Sequence, residues 1–211
     1  REYKLNLSGF QDILTNIIFF FVSIFIFIFS IGPDKETIST IGIGIVWTLL
    51  LLSSTLSLRK FYQDDFENGN LLITHLNGFS FGFIAILKTF SHFLFVQIPF
   101  LLSIPIACIL LNIVNDKLIY LFISFSIGSL ILSCLGSISS SMNLMNQRNF
   151  LLGSVIVMIF SIPVIIFSVG IINMEESFNS LINILFGILL IVFAINPWAS
   201  GLCLKLSLEN N

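Results

Sequence analysis

The chain has 211 residues, 56% of them hydrophobic and 9% charged, with a mean hydropathy of +1.06 and a formal net charge of −2 at pH 7. Soluble domains carry roughly 25% charged residues, so one water-surrounded core cannot hide this much apolar side chain, and lipid is the expected solvent. The length admits one integral membrane domain and no sizeable soluble one, and the charge excludes a basic nucleic-acid surface.

Six apolar stretches follow one another, each expected to cross the membrane as a helix, near 13–31, 41–58, 84–111, 118–141, 150–172 and 181–203. A helix needs about 20 apolar residues for the crossing. Nothing alternates with period two, so a barrel is excluded. Gly32-Pro33-Asp34-Lys35-Glu36 ends the first stretch, and Arg59-Lys60 opens a long polar gap after the second. Asn112 to Lys117, Asn143 to Asn149 and Asn173 to Asn179 mark the later breaks. The first stretch lacks a small-residue cleavage site and is expected to stay as an uncleaved span. The chain starts at Arg1 rather than Met, which suggests a trimmed start.

The third stretch is too long for a simple crossing. Phe81 to Leu111 is 31 residues, roughly 46 Å of helix against a hydrocarbon core of roughly 30 Å. An interfacial stretch near 79–92, followed by the crossing, is the expected solution. Pro99 and Pro105 lie in this span, Pro163 in the fifth and Pro197 in the sixth. Each removes a backbone donor and tends to kink its helix. Both ordinary membrane-helix kinks and hinges of a conformational cycle fit that pattern.

Orientation follows from Lys and Arg. The N-terminus, the 59–83 and 142–149 gaps, the C-terminus and Lys88 just inside the third span hold Arg1, Lys4, Arg59, Lys60, Lys88, Arg148 and Lys205. The other side holds only Lys35 and Lys117. Seven against two places both termini in the bacterial cytoplasm, under the inner membrane, or in the matrix if the membrane is mitochondrial. The short, acidic outer loops (Asp34, Glu36, Asp116, Glu175, Glu176) leave no room for a large outer domain.

Within the cytoplasmic polar segment, 59–80, the sequence Phe61-Tyr62-Gln63-Asp64-Asp65-Phe66-Glu67-Asn68-Gly69 is the most informative part of the chain. Residues 58–69 read as a short amphipathic helix. Leu58, Phe61, Tyr62 and Phe66 fall on one face; Asp64, Glu67 and Asn68 fall on the other, with Asp65 nearer the apolar edge. Gly69 is placed to end the helix. Such a helix is expected to lie with its apolar face in the headgroups and its acids toward the cytosol, where a soluble partner with a basic groove would grip them and buried aromatics would anchor the contact. A solvated loop helix with no partner is the alternative.

No catalytic set stands out: there is no HExxH, no P-loop and no supported Ser-His-Asp spacing. Asp64-Asp65 and Glu175-Glu176 are adjacent in sequence, so on a helix each pair diverges by about 100°. Cys108, Cys134 and Cys203 have no metal or redox spacing and read as packed, inert thiols; no metal site is expected. His75 lies in the gap. His92 shares a helix face with Lys88, and a lone interfacial histidine is more often hydrogen-bonded than a haem ligand. Trp198 fits an anchor at a span end, and Trp47 belongs to no tryptophan cluster. Gly42, Gly44, Gly128, Gly136 and Gly153, with Ser137, Ser139, Ser140 and Ser141, suit close helix packing; a polar substrate path is the lesser alternative.

Taken together these residues resemble the CcmB family of cytochrome c maturation permeases, within the wider ABC-2-type class of six-span transporter domains. The resemblance runs from about residue 13 to residue 208. It rests on the order and spacing of Ser30-Ile31-Gly32-Pro33, Gly44-Ile45-Val46-Trp47 with Leu52-Ser53-Ser54, an aromatic-x-x-Asp pattern best read as Tyr62 to Asp65, Pro99 and Pro105, Arg148, Ile162-Pro163 and Asn196-Pro197-Trp198-Ala199. Asn68 and Leu72 stand where the family commonly has acids, and Asn149-Phe150 replaces small residues, so the resemblance is that of a divergent member with a weaker acidic surface. The resemblance implies an all-α ABC-2-type permease of six transmembrane helices with a short coupling helix between helices 2 and 3. It implies a non-catalytic subunit whose ATP sits on a separate ABC ATP-binding subunit, docked on the loop that holds Phe61, Tyr62, Asp64, Asp65, Phe66, Glu67 and Gly69. It further implies a haem-handling membrane subunit and a small membrane subunit as partners, and haem as the cargo of the complex. A second copy of the chain is a further candidate partner. Coupling of ATP hydrolysis to haem delivery, or to release of a haem-loaded chaperone, suits this sequence better than haem passage, because no haem ligand pair or tryptophan platform is present. An ABC-2-type exporter subunit for another hydrophobic cargo is the alternative.

Overall fold

The computed structural model describes residues 2–58, 60–114, 117–145, 151–173 and 178–209. Among them the regular structure is all helical: α1 Glu2–Ile31, α2 Lys35–Ser57, α3 Lys60–Glu67, α4 Asn70–Leu76, α5 Phe81–His92, a π-helical segment Phe93–Gln97, α6 Ile98–Leu110, α7 Leu118–Met145, α8 Leu151–Asn173 and α9 Phe178–Glu209. Among the described residues six stretches are long and apolar enough to cross a membrane: Ile13–Ile31, Lys35–Glu67, Phe81–Leu110, Leu118–Met145, Gly153–Ile172 and Phe178–Glu209. The chain is therefore a multi-pass, six-helix membrane protein, as its hydropathy predicts. The expectations attached to Arg1, Arg59, Asp116, Arg148, Asn149, Phe150, Glu175 and Glu176 lie outside the described residues.

The helices overrun their apolar windows. α2 begins at Lys35 rather than near 41 because Asp34 caps it. The Asp34 carboxylate accepts the Glu36 amide at 3.2 Å and the Thr37 hydroxyl, which satisfies donors that a helix start leaves free. The Thr37 hydrogen bond also holds the exposed Asp34 carboxyl below the usual carboxylate range. One residue pair earlier, Gly32 takes φ +88° and donates its N–H to the Ile28 carbonyl at 3.1 Å, closing α1 in the left-handed conformation that glycine adopts freely.

α7 is the central post. It packs against α3, α5, the π segment, α6, α8 and α9, and its buried residues run from Leu121 to Leu144. A helix packed against this many neighbours needs small residues where they cross, and α7 supplies them. Trp47 lies over Gly128, where an added Cβ would come within 2.5 Å of its ring. One apolar cluster joins α1, α2, α6 and the start of α7 around Phe20, Trp47, Phe100 and Phe125. A second joins α3, α7, α8 and α9 around Tyr62, Ile131, Val164 and Leu204. Large apolar side chains such as Phe29, Leu102, Ile109 and Trp198 point outward, as lipid-facing residues must.

The third span changes neighbours partway. α5 packs on α9 and α7, whereas α6 packs on α1, α2 and α7. The two are one continuous helical run, 81–110, and the change falls in the π segment, directly before Pro99 in the first turn of α6. A π turn widens the helix and commonly marks a functional irregularity. Pro105, Pro163 and Pro197 lie inside α6, α8 and α9.

Candidate coupling site

The polar gap folds as two short helices rather than one. α3 follows α2 after a turn at Leu58, whose carbonyl accepts the Phe61 amide at 3.4 Å. It stops where the sequence places the stop. Asn68 returns its side-chain amide to the Asp64 carbonyl at 2.6 Å, and Gly69 at φ +72° bonds back to the Phe66 carbonyl at 3.1 Å. The same glycine then starts α4 by accepting the Ile73 amide.

The apolar face of α3 does not lie in headgroups. Leu58, Phe61 and Tyr62 are buried in the bundle, which corrects the sequence expectation. The reason is room on α7. Gly136 leaves the space that the Leu58 side chain fills, since a Cβ there would meet Leu58 Cδ2 at 2.6 Å. Beside it the Tyr62 hydroxyl reaches Ser137 Oγ at 2.7 Å. A buried tyrosine needs such a partner. Phe61 packs its ring 4.8 Å from both Tyr62 and His92. Neither aromatic is therefore at the surface; of the aromatics named as docking anchors only Phe66 is partly exposed.

The acids separate as their helix positions require. Asp64 and Glu67 are exposed and point away from the bundle, with Gln63 bonded to Glu67. Asp65 turns back and forms an ion pair with Lys88 of α5, while its other oxygen accepts the Asn70 amide at 3.4 Å. These residues, with Leu71, Thr74, Ile84, Leu87 and Ser91, line a cleft of about 270 Å³ between α3, α4 and α5. Lys88 and His92 share a helix but not a role. His92 is buried, its Nε2 2.8 Å from Ser57 Oγ and its Nδ1 3.1 Å from Ser133 Oγ. His75 is exposed, bonded through Nδ1 to the Phe79 carbonyl at 3.0 Å and stacked on Phe81.

Sequence reasoning missed what lies behind Tyr62. Ser137 Oγ lies 3.1 Å from Ser200 Oγ. Ser200 donates to Asn196 Oδ1 at 2.9 Å, and Asn196 Nδ2 donates to Thr89 Oγ1 at 2.9 Å. The available signal was Asn196 and Ser200, four apart in an apolar span, where unpaired polar groups are costly. The Gly82–Gly201 crossing of α5 and α9 was also missed. A Cβ on Gly201 would sit 3.0 Å from the Gly82 nitrogen, and one on Gly82 would sit 3.0 Å from the Pro197 carbonyl. Gly42, Gly128, Gly136 and Gly153 do mark close packing; nothing lies within 4 Å of a Cβ on Gly44. Cys108 and Cys134 are buried and Cys203 half-buried, all three as free thiols.

The chain is similar to known membrane-transport proteins along its whole length. The chain is 29% identical to the Heme exporter protein B of Haemophilus influenzae over 213 aligned residues, covering 100% of this chain and 96% of the relative. It is 27% identical to that of Bradyrhizobium diazoefficiens, covering 99% and 96%, and 25% identical to that of Escherichia coli K12, covering 99% and 96%. The family model described as CcmB protein matches residues 1–207, and the chain accordingly belongs to the CcmB family.

Proposed function

We propose that this protein is the non-catalytic permease subunit of an ABC transporter in cytochrome c maturation. It sits in the bacterial inner membrane with both termini cytoplasmic, as the Lys and Arg distribution argues. A soluble ABC subunit binds and hydrolyses ATP, and a haem-handling membrane subunit and a small membrane subunit complete the assembly. Haem is the cargo of the complex. This chain couples ATP hydrolysis to haem delivery or to release of the haem-loaded chaperone.

The observation that carries the reading is the two-sided character of α3. Asp64 and Glu67 face outward, where a basic groove can grip them, while Leu58, Phe61 and Tyr62 are locked into α7. A push on the acidic side must therefore move the bundle. In this reading Asp64, Glu67 and Phe66 form the contact surface, whereas Phe61 and Tyr62 transmit. His92 supports coupling over haem passage, because both of its ring nitrogens already have serine partners.

The test is co-purification from membranes in mild detergent. Asp64→Lys combined with Glu67→Lys reverses the outward charge without touching the buried face. Recovery of the ATP-binding subunit is expected to fall at least about fivefold, which equals about 1 kcal/mol, with membrane insertion unchanged. Full recovery of the ATPase with the reversed acids removes the docking claim.

A further inference from the structure

Tyr62, Ser137, Ser200, Asn196 and Thr89 form an unbroken row of side-chain hydrogen bonds across α3, α7, α9 and α5, and all five residues are buried. Neighbours in the row are far apart in sequence, by 75, 63 and 107 residues at the three contacts between helices. The row has a direction. Thr89 spends its single hydroxyl proton on the Ala85 carbonyl at 2.8 Å, so toward Asn196 it can only accept. Ser200 spends its proton on Asn196 Oδ1. Ser137 must then donate to Ser200, and Tyr62 must donate to Ser137. Every proton in the row points from α3 toward α5.

We infer that Tyr62 is the positioning residue through which a displacement of α3 reaches the spans, its hydroxyl being the head donor of this row. The inference rests on the coupling reading above and specifies where the coupling enters. Three properties suit the row to that task. It starts on the helix whose opposite face carries the exposed acids. It ends on α5, the helix that crosses α9 at Gly82–Gly201, one turn before the π segment where the third span changes neighbours. It also cannot yield gradually: a shift of α3 that breaks the first bond leaves Ser137 without its donor in a place water does not reach, so the row is either made or remade. Such all-or-none rearrangement is what a two-state packing needs.

The test uses the whole complex, with this chain co-expressed with its ATP-binding partner and the rest of the maturation apparatus. Tyr62→Phe keeps the ring and its packing and deletes only the head donor. Co-purification of the ATPase and its hydrolysis rate are expected to stay within twofold of wild type, while the yield of c-type cytochrome falls at least fivefold. Ser200→Ala, which leaves α3 untouched, is expected to lower the yield similarly. The Tyr62→Phe, Ser200→Ala double variant is expected to be no worse than either single one, because members of one unit are not additive. Ser200→Thr, which keeps the hydroxyl, is expected to restore the yield. A wild-type yield with Tyr62→Phe overturns the inference, as does a double variant whose loss is the product of the single losses. Loss of ATPase binding in Tyr62→Phe also overturns it, since Tyr62 would then act in docking. Failure of the wild-type chain to bring down any ATPase overturns the coupling reading itself.

Discussion

Asp65 is the residue on which docking and internal pinning make opposite predictions. The sequence places it with the acids that a partner grips; the structure turns it onto Lys88. The side chains of Lys88 and Asp65 keep 35% and 23% of their exposure, so water still screens the pair. Its net worth lies near the upper end of a surface ion pair, about 1 kcal/mol, and well below the 3–5 kcal/mol that breaking a fully buried pair costs. One kcal/mol is about a fivefold change in an equilibrium. Asp65→Asn and Lys88→Met are each expected to loosen α3 from α5 and lower cytochrome yield by about that factor. The exchanged pair, Asp65→Lys with Lys88→Asp, keeps the attraction and reverses only the sense of the charges. It is expected to recover most of the yield and to retain the ATPase on co-purification. If the exchanged chain is as poor as Asp65→Asn, the carboxylate is needed at position 65 for its own sake, and pinning is refuted in favour of direct contact with the partner.

Two further outcomes follow from the packing. Gly128→Ala sets a methyl group within 2.5 Å of the rigid, fully buried Trp47 ring. Overpacking of about 3 kcal/mol against a helix-propensity gain of about 1 kcal/mol leaves about 2 kcal/mol of destabilisation, a fall of about 4–8 °C in Tm; adding Trp47→Phe is expected to return most of it, and strict additivity of the two changes would show that the ring is not the obstacle. Thermal unfolding in detergent, followed with a thiol-reactive dye, reads this through buried Cys108 and Cys134. His92→Asn is expected to leave the haem absorbance of the purified complex at the wild-type level, because the imidazole is buried in the bundle with each nitrogen within hydrogen-bond distance of a serine hydroxyl; disappearance of the absorbance would make His92 a haem ligand.

The six spans were legible because twenty apolar residues have one physical solution in lipid. Their ends were less so. Hydropathy marks where a helix is apolar, not where it stops, and α2 and α9 continue through polar residues as Lys35–Ser57 and Phe178–Glu209. The stop at Gly69 was legible, since an abrupt end after a polar turn favours a residue that accepts positive φ. The partner of the apolar face was not. The spacing of Leu58, Phe61 and Tyr62 says that this face is buried, but a period of 3.6 cannot say against what. Headgroups and protein satisfy the pattern equally until Gly136 and Ser137, more than seventy residues away, are known to lie opposite.

That ambiguity bears on how a chain with so few charges can be driven at all. A helix resting in headgroups would slide when pushed, and the push would dissipate in lipid. Once Leu58 fills the space over Gly136 and Tyr62 is hydrogen-bonded to Ser137, the same push acts on α7, which packs against α5, α8 and α9. Close-packed interiors transmit displacement rather than absorb it. In the proposed reading α3 can serve as a lever because its two faces meet different media: Asp64 and Glu67 toward water, Phe61 and Tyr62 toward α7. Substitutions on the outward face should therefore change what binds, and substitutions on the inward face should change what binding accomplishes.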